Sequence, residues 1–541
     1  MTSSAPTSAS TWSPLRQPVF RTLWIASAVS TVGTWMHDVA AAWLMTSLSP
    51  SPFLVAMMSV AASLPFFLLA LLAGAIADVV DRRKMLLITQ GWMLAIALLM
   101  GILTMTNLTT PWLLIGLTFA LNAGGAMSMP VWQAIIPELV VKEELTSAVT
   151  LNGIVINLAR LIGPALAGGL IAVIGAGGVF LLNAVSFIGV MVALYRWRRT
   201  PQTTALPTER VIGAIQAGIR YTRHAPPLQT VFIRTVSYIF FASVLFALLP
   251  ILGRQEMGLN AFQYGTVMGF WGVGGLMGVF LLPRLRQRMS VDRLVANGSL
   301  IFGAAILALG FVRNFYLVCA VMILVGIASL AVMVNLSVAV QTAVPGWIRA
   351  RALAIQLLLF QGCMALGSLL WGAIAQHFNI TTAMTTAAIG LLIGVLLTSR
   401  YRLRCAEKLD LTASLHWQQP NHAFEPRAHD GPVLITLEYR INPADAPAFT
   451  EAMQAFSRTR RRDGAIRWGL FQDLSDPGRF VETVLVESWA EHRRQFERVT
   501  KADRTLEERV RAFHIGSEPP KISQMIYANQ DKYDRQVSRG K

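Results

Sequence analysis

The sequence is short of charge and of cysteine. Only 14% of its 541 residues are Asp, Glu, Lys or Arg, against roughly a quarter in soluble proteins. With 54% hydrophobic residues and a mean hydropathy of +0.52, the charges are too few to cover the surface of a soluble chain. A polytopic membrane protein is implied. The three cysteines (Cys319, Cys363, Cys405) are odd in number and lack metal or redox spacing. That excludes a disulfide-stapled secreted scaffold and a zinc cluster. No metal-ligand spacing or nucleotide loop occurs, so neither a metal site nor a cofactor is expected. Acids are scarce in one part only: Asp430–Lys541 is nearly balanced, with 19 Lys and Arg against 17 Asp and Glu, while the rest has 27 against 12. The net charge of +17 thus belongs to the apolar part, where the positive-inside rule places it. Nucleic acid is not an expected partner. Met1–Ser13 has no basic side chain and leads into no short apolar core, so no secretory leader is expected.

Apolar stretches of spanning length fall near 20–46, 52–77, 84–106, 111–136, 147–173 and 177–196, and again near 230–252, 261–283, 291–311, 315–344, 351–377 and 380–400. Eighteen Lys and Arg, from Arg16 to Arg351, flank these spans on one side, against Arg254 and Arg313 on the other. That asymmetry predicts twelve spans with both termini cytoplasmic. Glu209–His224 reads as an amphipathic helix lying on the membrane surface, or else as a plain polar linker.

The two sets of six repeat one another. Gly74–Lys84 overlays Gly278–Arg288 at an offset of 204. Asn152, Asn157, Gly163 and Gly168 overlay Gln356, Gln361, Gly367 and Gly372 at the same offset, and Gln133-x3-Pro137 matches Gln341-x3-Pro345. Parallel repeats of six spans mark the major facilitator architecture.

Gly74-Ala-Ile-Ala-Asp78-Val-Val-Asp-Arg82-Arg83-Lys84 resembles the loop signature of the major facilitator superfamily between spans two and three. Ala70, Gly74 and Asp78 share one helix face, and small residues there admit another helix closely. A carboxylate at the cytoplasmic end can face the positive end of a helix from the other half. The family's Arg after the Asp is Val79 here, and its Gly is Asp81. Gly74, Asp78, Arg82, Arg83 and Lys84, with Arg349 and Arg351 in the second half, are the expected gating set, unless the loop only sets topology. Trp132-Gln-Ala-x-x-Pro137-Glu138-Leu139, Asn157-Leu-Ala-Arg160, Gly163-Pro164-Ala, Gln361-Gly362 and Trp371-Gly372 resemble the exporter branch that includes enterobactin secretion transporters, the transmembrane secretion effectors. Gly163, Pro164 and Gly168 also resemble the antiporter motif with one residue too many before the paired glycines; the Gly-Pro reads equally as a packing kink. With Gly367 and Gly372 they are expected to pack helices.

Charges within spans are expensive in hydrocarbon and so are functional candidates. Asp38, with His37 beside it, lies in span one; Arg160 lies in span five, a turn after Asn157. Asp38 and Arg160 pair either as a structural link or as a proton relay. With Gln133, Gln341 and Gln361 they form the expected proton and substrate pathway.

After Lys408 the composition turns soluble. Leu411–Asp430 reads as a linker. Strands near 433–441, 465–472, 480–487 and 521–527 and helices near 443–460 and 491–513 follow in βαββαβ order, which is ferredoxin-like. With Glu487-Ser-Trp489-Ala-x-His492 the segment resembles antibiotic-biosynthesis monooxygenase domains, which implies pairing through the sheets.

The expected organisation is a disordered tail (1–19), a first bundle (20–196), a linker with the amphipathic helix (197–229), a second bundle (230–408), a linker (409–430), a ferredoxin-like domain (431–528) and a basic tail (529–541). The expected fold class is an α-helical membrane protein, a twelve-span major facilitator fold of two six-helix repeats, plus a small α+β ferredoxin-like C-terminal domain. The resemblance implies a secondary active transporter in a bacterial-type inner membrane, exporting a siderophore or drug-like molecule against protons, with no catalytic residue and a possible homodimer through the C-terminal domain. The alternatives are a membrane-tethered cofactor-independent monooxygenase and an importer of the same fold.

Overall fold

The computed structural model describes residues 12–197, 211–401, 403, 410–414, 416–417 and 426–528; within these, the side chains of residues 71, 75, 77–79, 142, 211–217 and 497 are not described. The chain forms two compact units. The first takes in Met1–Thr208, Phe232–Leu336 and Gln356–Arg402, and the second takes in Glu209–Val231, Ser337–Ile355 and Leu403–Lys541.

The membrane helices are α1 (Pro18–Leu48), α2 (Pro52–Val79), α3 (Arg82–Met105), α4 (Pro111–Leu139) and α5 (Leu145–Arg196) in the first half. After α6 (Val211–His224) come α7 (Pro226–Ile251), α8 (Ala261–Arg288), α9 (Val291–Phe311), α10 (Phe315–Thr342), α11 (Gly346–His377) and α12 (Ile380–Thr398). Helix starts follow local chemistry. Pro18, Pro52 and Pro111 sit in the first turn, where a missing N–H costs nothing. Ser51, Asp81, Thr110, Ser290 and Asn379 accept a backbone N–H as caps. Among the described residues, ten helices are long and apolar enough to cross a membrane. One of them, α5, breaks at Gly175, whose φ of 73° suits glycine, and so supplies two spans. The less apolar α1 has 31 residues, about 46 Å of helix. Counting α1 and both halves of α5, the described residues supply twelve helical segments of spanning length.

The repeat is visible in the packing. A Cβ on Gly163 of α5 would come within 2.6 Å of Trp35 Cβ on α1, and one on its counterpart Gly367 of α11 within 2.5 Å of the Phe240 carbonyl on α7. Gly168 brings α5 against the Gly265 backbone of α8, as Gly372 brings α11 against Ala56 of α2. Glycines 204 apart therefore serve equivalent helix pairs.

In the second unit, β1 (Val433–Arg440), α13 (Ala446–Asp463), β2 (Ala465–Gln472), β3 (Arg479–Val486), α14 (Trp489–Arg498), α15 (Lys501–Arg511) and β4 (Lys521–Ile526) form an antiparallel sheet of order β2-β3-β1-β4 with helices on one face. This is the ferredoxin-like order. Alternate residues Val433, Ile435, Leu437 and Tyr439 face Phe449, Met453 and Phe456 in the core.

Four expectations need correction. The helix expected over 491–513 is two helices, because Thr500 and Asp503 form a capping box that starts α15. The expected linker is partly domain: Ser414 N–H donates to the Val499 carbonyl and Lys501 N–H to the Thr412 carbonyl. Within the expected N-terminal tail, Ser13–Arg16 form a 3-10 turn and α1 begins at Pro18. The amphipathic helix is not wholly a membrane-surface element: Tyr221 is buried within the second unit, where its ring meets Trp347 edge-on at 5.8 Å, while Ile219 is exposed. Residues 1–11, 198–210, 418–425 and 529–541, parts of the expected tails and linkers, and Cys405 lie outside the described residues.

Candidate transport site

The first unit has an open cavity of about 510 Å³ lined by α1 to α5. Trp24, Trp35, Phe66 and Trp132 supply aromatic walls; Ser27, Thr31, Gln133 and Asn152 supply hydroxyls and amides. Among the described residues no Asp, Glu, Lys or Arg lines it. Two lining groups, the indole N–H of Trp24 and the amide oxygen of Gln90, are buried without a hydrogen-bond partner in the protein. An unmade bond at a buried polar group costs about 1–3 kcal/mol, and a ligand that accepts from one and donates to the other removes both penalties. The cavity therefore suits an uncharged, amphipathic organic molecule able to stack on aromatic rings.

Comparison with known proteins decides the family. A family described as transmembrane secretion effector matches residues 9–532. The chain belongs to it. It is 26% identical over 366 residues to the staphyloferrin A transporter of Staphylococcus aureus, covering 66% of this chain and 90% of that one. It is 24% identical over 406 residues to the multidrug efflux pump Tap of Mycolicibacterium fortuitum, covering 72% and 96%. A bacterial homologue of the human lysosomal transporter Spinster, inward-facing and unoccupied, superposes with a TM-score of 0.59 at 15% identity, covering 72% of this chain and 98% of that one. An inward-facing bacterial homologue of the iron transporter ferroportin superposes with 0.54 at 18% identity, covering 71% and 98%. These structures share the major facilitator fold. This secretion effector is thus a multi-pass membrane transporter of that superfamily.

The residues singled out in the sequence fall into separate groups. Gln133 lines the cavity. Asn157 is exposed and its amide donates to the Gly153 carbonyl of its own helix. Asp38 is half-buried on α1, one turn beyond Trp35, with no ion pair or hydrogen bond among the described residues; His37 is fully buried with its ring 4.5 Å from Phe180. Arg160 does not pair with Asp38. Its guanidinium lies over both Trp35 and Trp271, 5.4 and 5.5 Å from ring centroids that are themselves 6.2 Å apart, in a double cation–π contact. Gln361 is half-buried on α11, and Gln341 is exposed in the last turn of α10, in the second unit.

In the expected gating loop, Asp81 caps α3, which explains why an acid replaces the family's glycine. Arg82 binds Glu138 at 2.6 Å and the Ala134 carbonyl of α4. Arg83 donates to the Leu194 and Tyr195 carbonyls that close α5. Arg286, the counterpart of Arg82, ties α8 to Asn335 of α10. Gly74 has open space where a Cβ would point, Lys84 and Arg349 are exposed, and Arg351 is half-buried. The Asp78 side chain lies outside the described ones.

Sequence reasoning missed a charged hub in the second unit. Glu491 of α14 accepts from Arg220 of α6 at 2.7 Å and from Arg498 at 2.6 Å, and Arg498 stacks 4.5 Å from the Trp347 ring centroid. Burial pushes the Glu491 carboxyl up, but the two guanidiniums outweigh it and hold it below its usual range. Arg462, raised by Asp463 and Asp503 in spite of burial, covers Tyr221 at 5.4 Å. These contacts join the ferredoxin-like domain to α6 and to the first turn of α11.

Proposed function

We propose that the protein exports a small organic molecule by alternating access, driven by protons, from a bacterial-type inner membrane with both termini cytoplasmic. The observation that carries the reading is the uncharged aromatic cavity with its two unpartnered polar groups. A transporter named for a siderophore and an efflux pump named for drugs among the relatives support a siderophore or drug-like substrate, and the neutral lining favours the drug-like end. An accumulation assay in cells with and without the gene, comparing iron-free staphyloferrin A with a macrolide, tests it. Lower macrolide accumulation with the gene is expected; equal accumulation of both compounds would refute the reading. Asp78 belongs to the same proposal as a gate. Asp78→Asn is expected to leave insertion intact and to slow transport at least about tenfold, because a helix-end interaction of up to about 2 kcal/mol is lost.

The ferredoxin-like domain acts in this reading as an accessory module, with a homodimer through its outer sheet face as one mode. What favours this over a monooxygenase is its filled groove. Trp417 lies over Arg460 at 5.0 Å and donates to Glu507, and about 10 Å³ remains beside them, the space of about one water. His492 is buried between Trp489 and Phe496, and the His514 ring accepts the Arg440 N–H. Oxygen uptake by the full chain with a quinol, abolished in His492→Ala, would promote the enzyme instead.

The hub predicts a pH response. A carboxylate held low in the folded state contributes its stability above the unfolded value of about 4.3, and the contribution disappears as pH falls through the lower folded value. The unfolding midpoint of the full chain is therefore expected to hold steady around neutral pH and to fall below about pH 4.3. Glu491→Gln is expected to unfold at a lower midpoint at neutral pH as well. Equal midpoints of wild type and Glu491→Gln at about pH 7 would show that the hub holds nothing.

A further inference from the structure

A second polar cavity lies in the first unit, away from the candidate transport site. It holds about 100 Å³ at the start of α7, the start of α9 and the end of α12. Alternation of spans puts these three helix ends on the same membrane side as the chain termini.

Its chemistry divides along its length. Arg234 is 6% exposed; it binds Asp292 at 2.8 Å and the Thr398 carbonyl at 3.2 Å, which ties α7 to α9 and α12. That structural link leaves the Arg234 Nε without a partner. The Tyr238 hydroxyl, one turn along α7, also lacks a partner and its residue is 3% exposed. Both residues line the cavity, as does exposed Arg293 in the first turn of α9. The N-terminus of that 21-residue helix adds its positive end. The remaining wall mixes the apolar Val295, Ala296, Leu391 and Val395 with the hydroxyls of Ser237, Ser299, Thr398 and Ser399, and Leu396 and Ile393 on the same helix as Leu391 and Val395 are exposed. A donor-rich, positive head above a partly apolar wall at an interfacial depth matches a phosphate attached to hydrocarbon.

We propose that the ends of α7, α9 and α12 bind the phosphate headgroup of an anionic phospholipid, with its acyl chain along Val295, Leu391 and Val395. Arg293 and the α9 N-terminus neutralise the phosphate. Arg234 Nε and the Tyr238 hydroxyl donate to its oxygens, while Asp292 keeps Arg234 aimed at the site. Because the three helices must stay together for the lipid to bridge them, the lipid stabilises this half of the bundle.

The test uses the full chain, purified and delipidated in detergent, with its unfolding midpoint followed as lipid is added. Phosphatidylglycerol is expected to raise the midpoint, and phosphatidylethanolamine and inorganic phosphate are expected to do so at concentrations roughly tenfold or more higher. Tyr238→Phe, which removes only a hydroxyl, and Arg293→Glu, an exposed site that does not perturb the core, should each raise the phosphatidylglycerol requirement roughly tenfold. Arg288→Glu, an exposed arginine at the end of α8, should not. Wild-type lipid response in both Tyr238→Phe and Arg293→Glu overturns the proposal. An equal loss in Arg288→Glu also overturns it, since any basic residue would then serve. Equal stabilisation by inorganic phosphate assigns the site to a soluble anion and overturns the lipid.

Discussion

Asp38→Asn is expected to make transport indifferent to the proton gradient while substrate binding remains measurable. Asp38 continues the face of α1 that lines the cavity, one turn past Trp35. A carboxylate within a span is costly as an anion, and here it has no ionic partner among the described residues to offset the cost. A proton taken up from the far side would neutralise it in one half of the cycle and leave in the other. Arg160 is held by Trp35 and Trp271 instead. Asparagine keeps the size but cannot exchange the proton. Concentrative transport should fall at least roughly tenfold, the effect of losing a driving term of about 1.4 kcal/mol. Normal pH-dependent accumulation in Asp38→Asn would mean that the coupling ion enters elsewhere.

Gly168→Val is expected to stop transport almost completely in protein that still inserts. A Cβ at Gly168 would stand 2.8 Å from the Ala261 carbonyl and the Gly265 Cα. These are backbone atoms and cannot rotate aside, so α5 and α8 must part. Overpacking of this kind costs about 1–3 kcal/mol, enough to bias a two-state equilibrium by roughly five- to 150-fold. A Cβ on the neighbouring Gly169 would meet nothing within 4 Å, and Gly169→Val should transport normally. Equal activity of the two variants would remove the close α5–α8 approach from the account.

Much of this arrangement is legible in the amino-acid pattern. Span length is imposed by the bilayer, and the constant offset of 204 exposes the repeat, which the paired contacts of Gly163 with α1 and Gly367 with α7 then repeat in space. Strand alternation gives the ferredoxin-like sheet nearly to the residue. The cavity face carries a signal too: Trp24, Ser27, Thr31 and Trp35 follow helical spacing on α1, a stripe hidden among so many apolar neighbours. Thr500-x-x-Asp503 carries the capping signal that divides α14 from α15, but continuous helical spacing on both sides masks it. Other features depend on tertiary approach alone. Nothing in sequence spacing says that Arg160 meets Trp271 of α8 in place of Asp38. Nor does the short segment 410–417 announce that Trp417 will cover Arg460.

The direct test of the central claim is uptake of a labelled macrolide into inverted membrane vesicles that contain the protein, with an imposed proton gradient, acidic inside. Export by proton exchange predicts accumulation that a protonophore collapses, that Asp38→Asn loses and that Gln133→Leu, which removes an amide from the cavity wall, weakens. Accumulation only in right-side-out vesicles, or uptake unchanged by the protonophore and by both substitutions, would contradict the account.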